Sequence, residues 1–531
     1  MHNSQHQRAL KTCYHPRWPL LRHLLGLWAC LLLVACGAPN EPDSVIRFGI
    51  ANSARNLDPR HATDATSERV NHLLYRTLVD FDDTGQVVPG LATWEQLSAR
   101  RYRFALGQEG RRFSDGSWLT AADVAATYQS LLDPATGSPH GSQLDLIEEI
   151  RLLDEDHLEF VLSRSDPLFP SYLGLGILPA KAVAAGRDFA RAPLGSGPFL
   201  VRDWPETGRL LLERRRDGQR IELVTVKDPN VRVMKLLRGE VQMLQNDLAP
   251  ELVDYLREQS AVVVETRPGV NFAYLGFNLE DPLLSQRQLR LAIAHAIDRE
   301  AILKYLFRGL GRPAQALLPP EHWAGAPDLK PYAHDPQRAR ELLAELGYGP
   351  ERPLQLSYKT SSDPFRLRVA SVIQAQLKPV GIELRIRSYD WGTFFGDIKA
   401  GRFQLYSLTW VGVRGPDIFR YVFHSESLPP KGANRGRFRD ARVDDLIDRA
   451  GMTEGLAERA RLYRELQARL LRELPYVPLW YEDQILARRA EISGYRLAPD
   501  GDYDGLESVV TSRAQVRAGR SGVRGAVASR Q

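Results

Sequence analysis

Apolar positions along this chain switch repeatedly between a period of two and a period near 3.6, and that switching predicts its elements. Val45, Ile46, Phe48 and Ile50 open a first strand, and the turn residues Asn56, Asp58 and Pro59 follow. Val70, Leu73, Leu74 and Leu78 then predict a helix over 67–80. Tyr102, Phe104 and Leu106 alternate with Arg103 and Ala105, the mark of a half-buried strand. After a loop at Ser114, Asp115 and Gly116, Thr120 stands three residues before Asp123, a capping box opening a helix that carries Val124, Tyr128 and Leu131. Strands are expected at 199–201 and 209–213, a short helix from Asn230 to Gly239, and a strand resuming at Val241.

A second large unit begins near Pro268. Residues 272–278 read as a strand, and Leu289, Ala292, Ile293, Ala296 and Ile297 form one stripe of a helix expected over 285–306. A helix over 365–377 is closed by Pro379 and Gly381, and 382–386 follow as a strand. Leu462, Leu466, Leu470 and Leu474 mark a last long helix over 457–474, and 476–486 return as an aromatic strand. Helix followed by strand, repeated along the body, implies an α/β protein whose sheets are covered by helices.

The N-terminus changes the picture of where the chain resides. Arg8, Lys11, Arg17 and Arg22 precede the uncharged stretch 24–34, then Ala35, Cys36 and Gly37. A basic region, an apolar stretch of about 7–15 residues and small residues at its end make a signal peptide that is too short to span a bilayer stably. The ending Leu33, Val34, Ala35, Cys36 resembles the bacterial lipobox, which implies a mature chain starting at a lipid-bearing Cys36; a plain signal peptide or an uncleaved anchor are the alternatives. Residues 1–35 are thus the expected leader and 36–44 a tether. Cys13, Cys30 and Cys36 are the only cysteines, so the mature body can form no internal disulfide and can hold neither a cysteine nucleophile nor a zinc–thiolate site.

Composition adds only limits. About 490 residues remain after the leader, enough for two or three lobes with substantial cores. Hydrophobic content of 43%, charged content of 25% and a net charge of +5 are ordinary. The tail 514–531, with Arg517, Arg520, Arg524 and Arg530 among small residues, offers too little apolar surface to repay its ordering and is expected to be disordered; it is no argument for nucleic acid.

At this point several ordered stretches resemble the large solute-binding proteins of bacterial ABC importers, in the oligopeptide/dipeptide-binding family. They are Asn56-Leu57-Asp58-Pro59, Val88-Pro89-Gly90-Leu91-Ala92, Phe113-Ser114-Asp115-Gly116 with Leu119-Thr120-Ala121-Ala122-Asp123-Val124, and Gly195-Ser196-Gly197-Pro198-Phe199. Leu275-Gly276-Phe277-Asn278-Leu279, Arg290 through Asp298-Arg299-Glu300, and Val380-Gly381-Ile382 continue the series. The resemblance implies a two-lobed periplasmic-binding-protein-like fold of the large type II class, with a small domain inserted in the first lobe. The first lobe is expected over 45–267, including the insert at about 86–187. The second lobe is expected over 268–482, with a return to the first over 483–513. It further implies a monomer, lipid-tethered at the periplasmic face, that captures peptides and passes them to an ABC permease. Gly37 after Cys36 leaves inner or outer membrane open.

In peptide-binding members a tryptophan followed three residues later by aspartate lies in the cleft, and the carboxylate pairs with the peptide's ammonium. Trp410 matches, but the aspartate's position is Val413. A buried ammonium would lack its partner there, which is costly. Asp417 either replaces that aspartate or is a turn residue beside Pro416; Arg414 either meets a ligand carboxylate bidentately or is solvated. Tyr274 and Asn278, on the strand entering the second lobe, are further ligand candidates, with sheet packing as their alternative. The departure at Val413 keeps a non-peptide solute (a metal chelate, opine or sugar) open.

An enzyme is disfavoured. The body's histidines (His61, His72, His140, His157, His295, His322, His334 and His424) form no His-Glu-x-x-His pattern, and there is no Gly-x-Ser-x-Gly. The glycines of 195–199 do not make a phosphate loop, because no Gly-Lys-Ser/Thr follows and Pro198 removes an amide. No cofactor, metal or catalytic residue is expected.

Overall fold

The computed structural model describes residues 45–512, apart from 142–143 and 206–207. Cys36, the leader, the tether and the basic tail lie outside the described residues. Among those described, no helix is long and apolar enough to cross a membrane.

Alternation of buried and exposed residues builds one eleven-stranded mixed sheet. Its order is Ile382–Tyr389, Leu354–Ser361, Leu405–Trp410, Val262–Phe277, Tyr476–Arg489, Met243–Gln245, Val45–Ile50, Arg220–Thr225, Arg209–Arg214 and Phe199–Asp203, with Gly311–Pro313 also pairing Tyr476–Arg489. The two long central strands, Val262–Phe277 and Tyr476–Arg489, join two lobes. Val262 to Arg267 pair with Arg489 to Gln484, and Asn271 to Gly276 pair with Glu482 to Tyr476. The register breaks between Arg267 and Asn271.

Gly269 sits in that break, where a Cβ would run into the Glu482 carbonyl oxygen. Only glycine lets the two crossing strands approach so closely. Gly269→Ala is expected to cost about 1–3 kcal/mol, the usual range for forcing atoms into a packed site, read as a lowered urea midpoint with an unchanged slope.

Two large cores lie against this sheet. Ile46, Phe48, Leu210, Leu212, Ile221 and Leu486 pack with Tyr495 and Tyr503 in the first. Leu275, Leu289, Ile293, Ile373, Ile382, Leu405 and Trp480 pack in the second. A separate four-stranded antiparallel sheet, Ala92–Ser98, Arg101–Leu106, His157–Leu162 and Ile147–Leu152 in that order, is covered by the helix Ala121–Leu132 around Phe104, Tyr128 and Phe160. That helix starts where the capping box placed it: the Asp123 carboxylate accepts the Thr120 amide at 2.7 Å.

Two expected helices are shorter than their apolar patterns. The first spans Ala65–Leu74, capped by Asp64, whose carboxylate accepts the Ser67 amide at 2.9 Å. Tyr75 then turns extended, and Leu78 leads into the strand Val79–Phe81 and the core of the small sheet. The helix expected over 285–306 ends at Ala296, because Ile297 is extended and Asp298 starts a new turn by accepting the Ala301 amide at 2.8 Å. The strand expected from Val241 begins at Met243.

Candidate functional site

The polar face of the helix Ala65–Leu74 looks across a cleft at the loop that follows the strand Leu405–Trp410. Val70, Leu73 and Leu74 bury the helix's other side in the core around Phe48 and Leu212, so Glu68, Arg69 and His72 are left to face outward. Between helix and loop lies a cavity of about 590 Å³ lined by Glu68, Arg69, Asn71 and His72 on one side and by Val411, Gly412, Arg414 and Asp417 on the other. Asp500 and Asp502, on the segment that follows the second crossing strand, complete that wall. The volume falls in the range of small-ligand sites.

Arg414 is the bridge across this cleft. Its Nε donates to Asp500 Oδ2 at 3.0 Å and its Nη2 pairs with Asp502 Oδ2. The same Asp502 oxygen lies 2.8 Å from His72 Nδ1. The Arg414 carbonyl meets His322 Nε2 at 2.9 Å, and its guanidinium lies over the Phe81 ring. Burial opposes charge on Arg414, His72 and Asp502, but their mutual attraction wins: the arginine and histidine are held above their usual ranges and the aspartate well below its own. Arg414 is therefore satisfied by its own chain rather than solvated.

Asp504, next along, is pushed up to about 6 by burial and then by the repulsion of Asp502. A carboxyl whose folded value lies above its unfolded one favours folding below the ordinary aspartate range and loses that contribution as pH rises through about 6. Asp504→Asn removes this loss. Its melting temperature relative to the parent is expected to rise between pH 4.5 and 7.5; a constant difference would contradict the assignment.

Asp417 has a different environment. It begins the short helix Ile418–Phe423 but makes no side-chain cap there, and no lysine or arginine pairs with it among the described residues. Burial, and then the nearby Asp166 carboxylate, raise its pKa. Asn71 is also uncompensated: it is 4% exposed, and both atoms of its side-chain amide lack a partner. Glu68 is raised by burial as well. Arg69 stacks over Tyr503 and has no ion pair among the described residues. The cavity thus presents the carboxylates of Glu68 and Asp417, one orphaned amide and, beside the paired Arg414, the guanidinium of Arg69.

The other residues singled out from sequence sit elsewhere. Trp410 does not line the cavity; its ring stacks on Tyr274 at 6.5 Å beneath the Arg435 guanidinium, 4.6 Å from the ring centre, and its Nε1 is buried without an acceptor. The Tyr274 hydroxyl accepts from Arg435 Nη1 at 3.1 Å. Asn278 donates to the Gly401 and Phe403 carbonyls at 3.2 and 3.1 Å. Val413 lines a neighbouring recess with His322 and Arg312. Glu68, Arg69, Asn71, Asp500 and Asp502 were not singled out. Their only sequence signals were the polar face of an amphipathic helix and the alternating aspartates at 500, 502 and 504.

Two lobes about a cleft, joined by two crossing strands, define a solute-binding protein, and comparison with known proteins gives the family. The model of the bacterial extracellular solute-binding proteins, family 5, matches residues 86–427, and the chain belongs to that family. Di/tripeptide-binding protein 2 of Pseudomonas aeruginosa strain UCBPP-PA14 is 29% identical over 483 residues, covering 83% of this chain and 90% of that protein. Among solved structures, NikZ from Campylobacter jejuni in complex with Ni(L-His) shares the fold at a TM-score of 0.76 and 21% identity, covering 88% of this chain and all of the other. The periplasmic binding protein DppA from Helicobacter pylori, in complex with the peptide STSA, does so at 0.74 and 24%, over 88% and 98%.

Proposed function

We propose that this chain captures a short peptide between its lobes and delivers it to an ABC importer, anchored to the membrane through a lipid on Cys36. The lobes are taken as 45–267 and 268–482, with 483–513 returning to the first. The supporting observation is the half-buried Asp417, without a cation among the described residues, in a cavity that offers Arg69 as its one guanidinium without an ion pair to a carboxylate. A carboxylate left without a cation in a protein interior is destabilising on its own. An entering α-ammonium would relieve it, and the peptide's carboxylate would meet Arg69. Asp417 then takes the role for which position 413 holds valine. Arg414, fixed by Asp500 and Asp502, closes the cleft around the ligand instead of touching its carboxylate. Trp410 and Tyr274 stack behind the loop that lines this site, Asn278 holds the Gly401 and Phe403 carbonyls at the other end of the strand, and Val413 borders the adjoining recess.

Closure follows from population shift, since a ligand that touches both lobes binds only the closed arrangement well. No bond is made or broken. Val413 also supports a second reading, a non-peptide cationic or zwitterionic solute in the same cavity. A thermal-shift screen of the protein separates the two. Mixed di- to tetrapeptides are expected to raise the melting temperature in proportion to the logarithm of their concentration. Stabilisation by opines or metal chelates alone would overturn the peptide reading.

A further inference from the structure

Away from the cleft, where the inserted sheet meets the first lobe, a second pocket of about 400 Å³ collects arginines. Arg76, Arg111, Arg112, Arg214, Arg215 and Arg216 line it, and Glu507 is its one acidic residue. Their charges are unequally matched. Arg111 is paired with Asp156 at 2.6 Å, and Arg214 with Asp217 at 2.8 Å and with the carbonyls of Leu506, Glu507 and Val509. Arg76 reaches Glu507 only at 3.5 Å, and Arg216 reaches Asp217 at 3.6 Å.

Arg112 and Arg215 have no carboxylate at all among the described residues. Arg112 donates to the Gly116 carbonyl at 3.2 Å and lies over the Trp118 ring at 5.8 Å. Arg215 donates to the carbonyls of Arg112, Phe113 and Gly197 at 2.7, 3.3 and 3.4 Å. Burial and the neighbouring Arg112 both pull its pKa down, as expected for two like charges facing one another without a counter-ion.

A second observation comes from the loop between them. Gly197 packs so closely on the end of the first helix that a Cβ would run into the Leu74 backbone, and its amide donates to the Leu74 carbonyl at 2.8 Å. This fixes Ser196, which lines the pocket, is 3% exposed, and has a hydroxyl with neither donor nor acceptor among the described residues. Buried hydroxyls are seldom left unpaired. The loop is not a phosphate cradle of backbone amides, but it places an orphaned hydroxyl among guanidinium groups.

We infer that this pocket is a second binding site, distinct from the solute cleft, that takes a phosphate group on Arg112, Arg215 and Ser196. Planar guanidinium forks match phosphate oxygens bidentately. Trp118, exposed at the rim, offers an apolar face to whatever carries the phosphate, so inorganic phosphate and the headgroup of an anionic phospholipid share the required chemistry.

The test uses the full-length chain with two probes. Inorganic phosphate is titrated calorimetrically at low salt, and cosedimentation is measured with vesicles of phosphatidylglycerol against phosphatidylcholine. Arg215→Gln and the exposed Arg112→Gln are each expected to weaken binding at least tenfold, and Ser196→Ala several-fold, with the melting temperature of Arg112→Gln unchanged. Saturable phosphate heat lost in these variants identifies free phosphate. A preference for phosphatidylglycerol lost in the same variants, without phosphate heat, identifies the headgroup. All variants carry the same N-terminus, so an anchor cannot produce the difference. No binding of either probe, or binding indifferent to all three substitutions, would overturn the site.

Discussion

Asp417→Asn is expected to weaken peptide binding by about 30-fold to several thousand-fold while leaving the unliganded protein as stable as before, or more so. The two signs have one cause. In the empty cleft the carboxylate is half-buried without a cation, so its pKa is raised and its charge is a burden. With a peptide bound, the same charge faces an ammonium in low dielectric, and truncating one partner of such a pair costs about 2–5 kcal/mol, at 1.4 kcal/mol per tenfold in affinity. Calorimetry with a tripeptide and a urea melt of the empty protein measure both. If Asp417 were only a turn residue beside Pro416, affinity would stay within a fewfold of the parent.

The second large effect is at Arg414. Arg414→Ala removes the cation shared by Asp500 and Asp502 and leaves Asp502, 6% exposed, with His72 alone. Breaking a buried pair by deleting one member costs about 3–5 kcal/mol, and the remaining histidine places the expected loss near the lower end. The bridge joins the loop after the strand Leu405–Trp410 to the segment carrying Asp500 and Asp502; with the lobes divided as proposed, its loss also favours the open arrangement. Small-angle scattering of the empty variant is expected to give a larger radius of gyration than the parent. Peptide affinity is expected to fall by the factor by which the closed population falls. Arg414→Lys keeps the charge but not the fork that reaches two carboxylates, and an intermediate result is expected. A variant as compact and as stable as the parent would remove Arg414 from the closure of the cleft.

Elements whose signals are local were legible from the amino-acid order. The Thr120 and Asp123 capping box, the helix Pro364–Leu377 stopped by Pro379 and Gly381, and the alternating strand Arg101–Leu106 all follow from neighbours within a few residues. Where two local signals competed, the periodic one misled. The stripe from Leu289 to Ile297 runs on past Ala296, but Asp298 begins a new turn, and the apolar side chains keep their core positions through a break in the helix.

The site was legible only in part, because its chemistry is assembled across long separations. Arg414 meets Asp500 and Asp502 from 86 and 88 residues away, and His72 from 342. No spacing rule reaches that far. Asp417, read from sequence as either a replacement for the missing aspartate or a turn residue beside Pro416, lines the cavity. Trp410 matched the motif by position, yet its ring is directed to Tyr274 and Arg435, while its neighbours Val411 and Gly412 line the cavity.

The most direct measurement is a calorimetric titration of the protein with one tripeptide carrying a free amino terminus and with the same tripeptide N-acetylated. Capture of the ammonium by Asp417 predicts saturable one-to-one binding of the free peptide, at least a 30-fold loss on acetylation, and little further loss on acetylation in Asp417→Asn. Equal affinity for both peptides in the parent protein would contradict the proposed site.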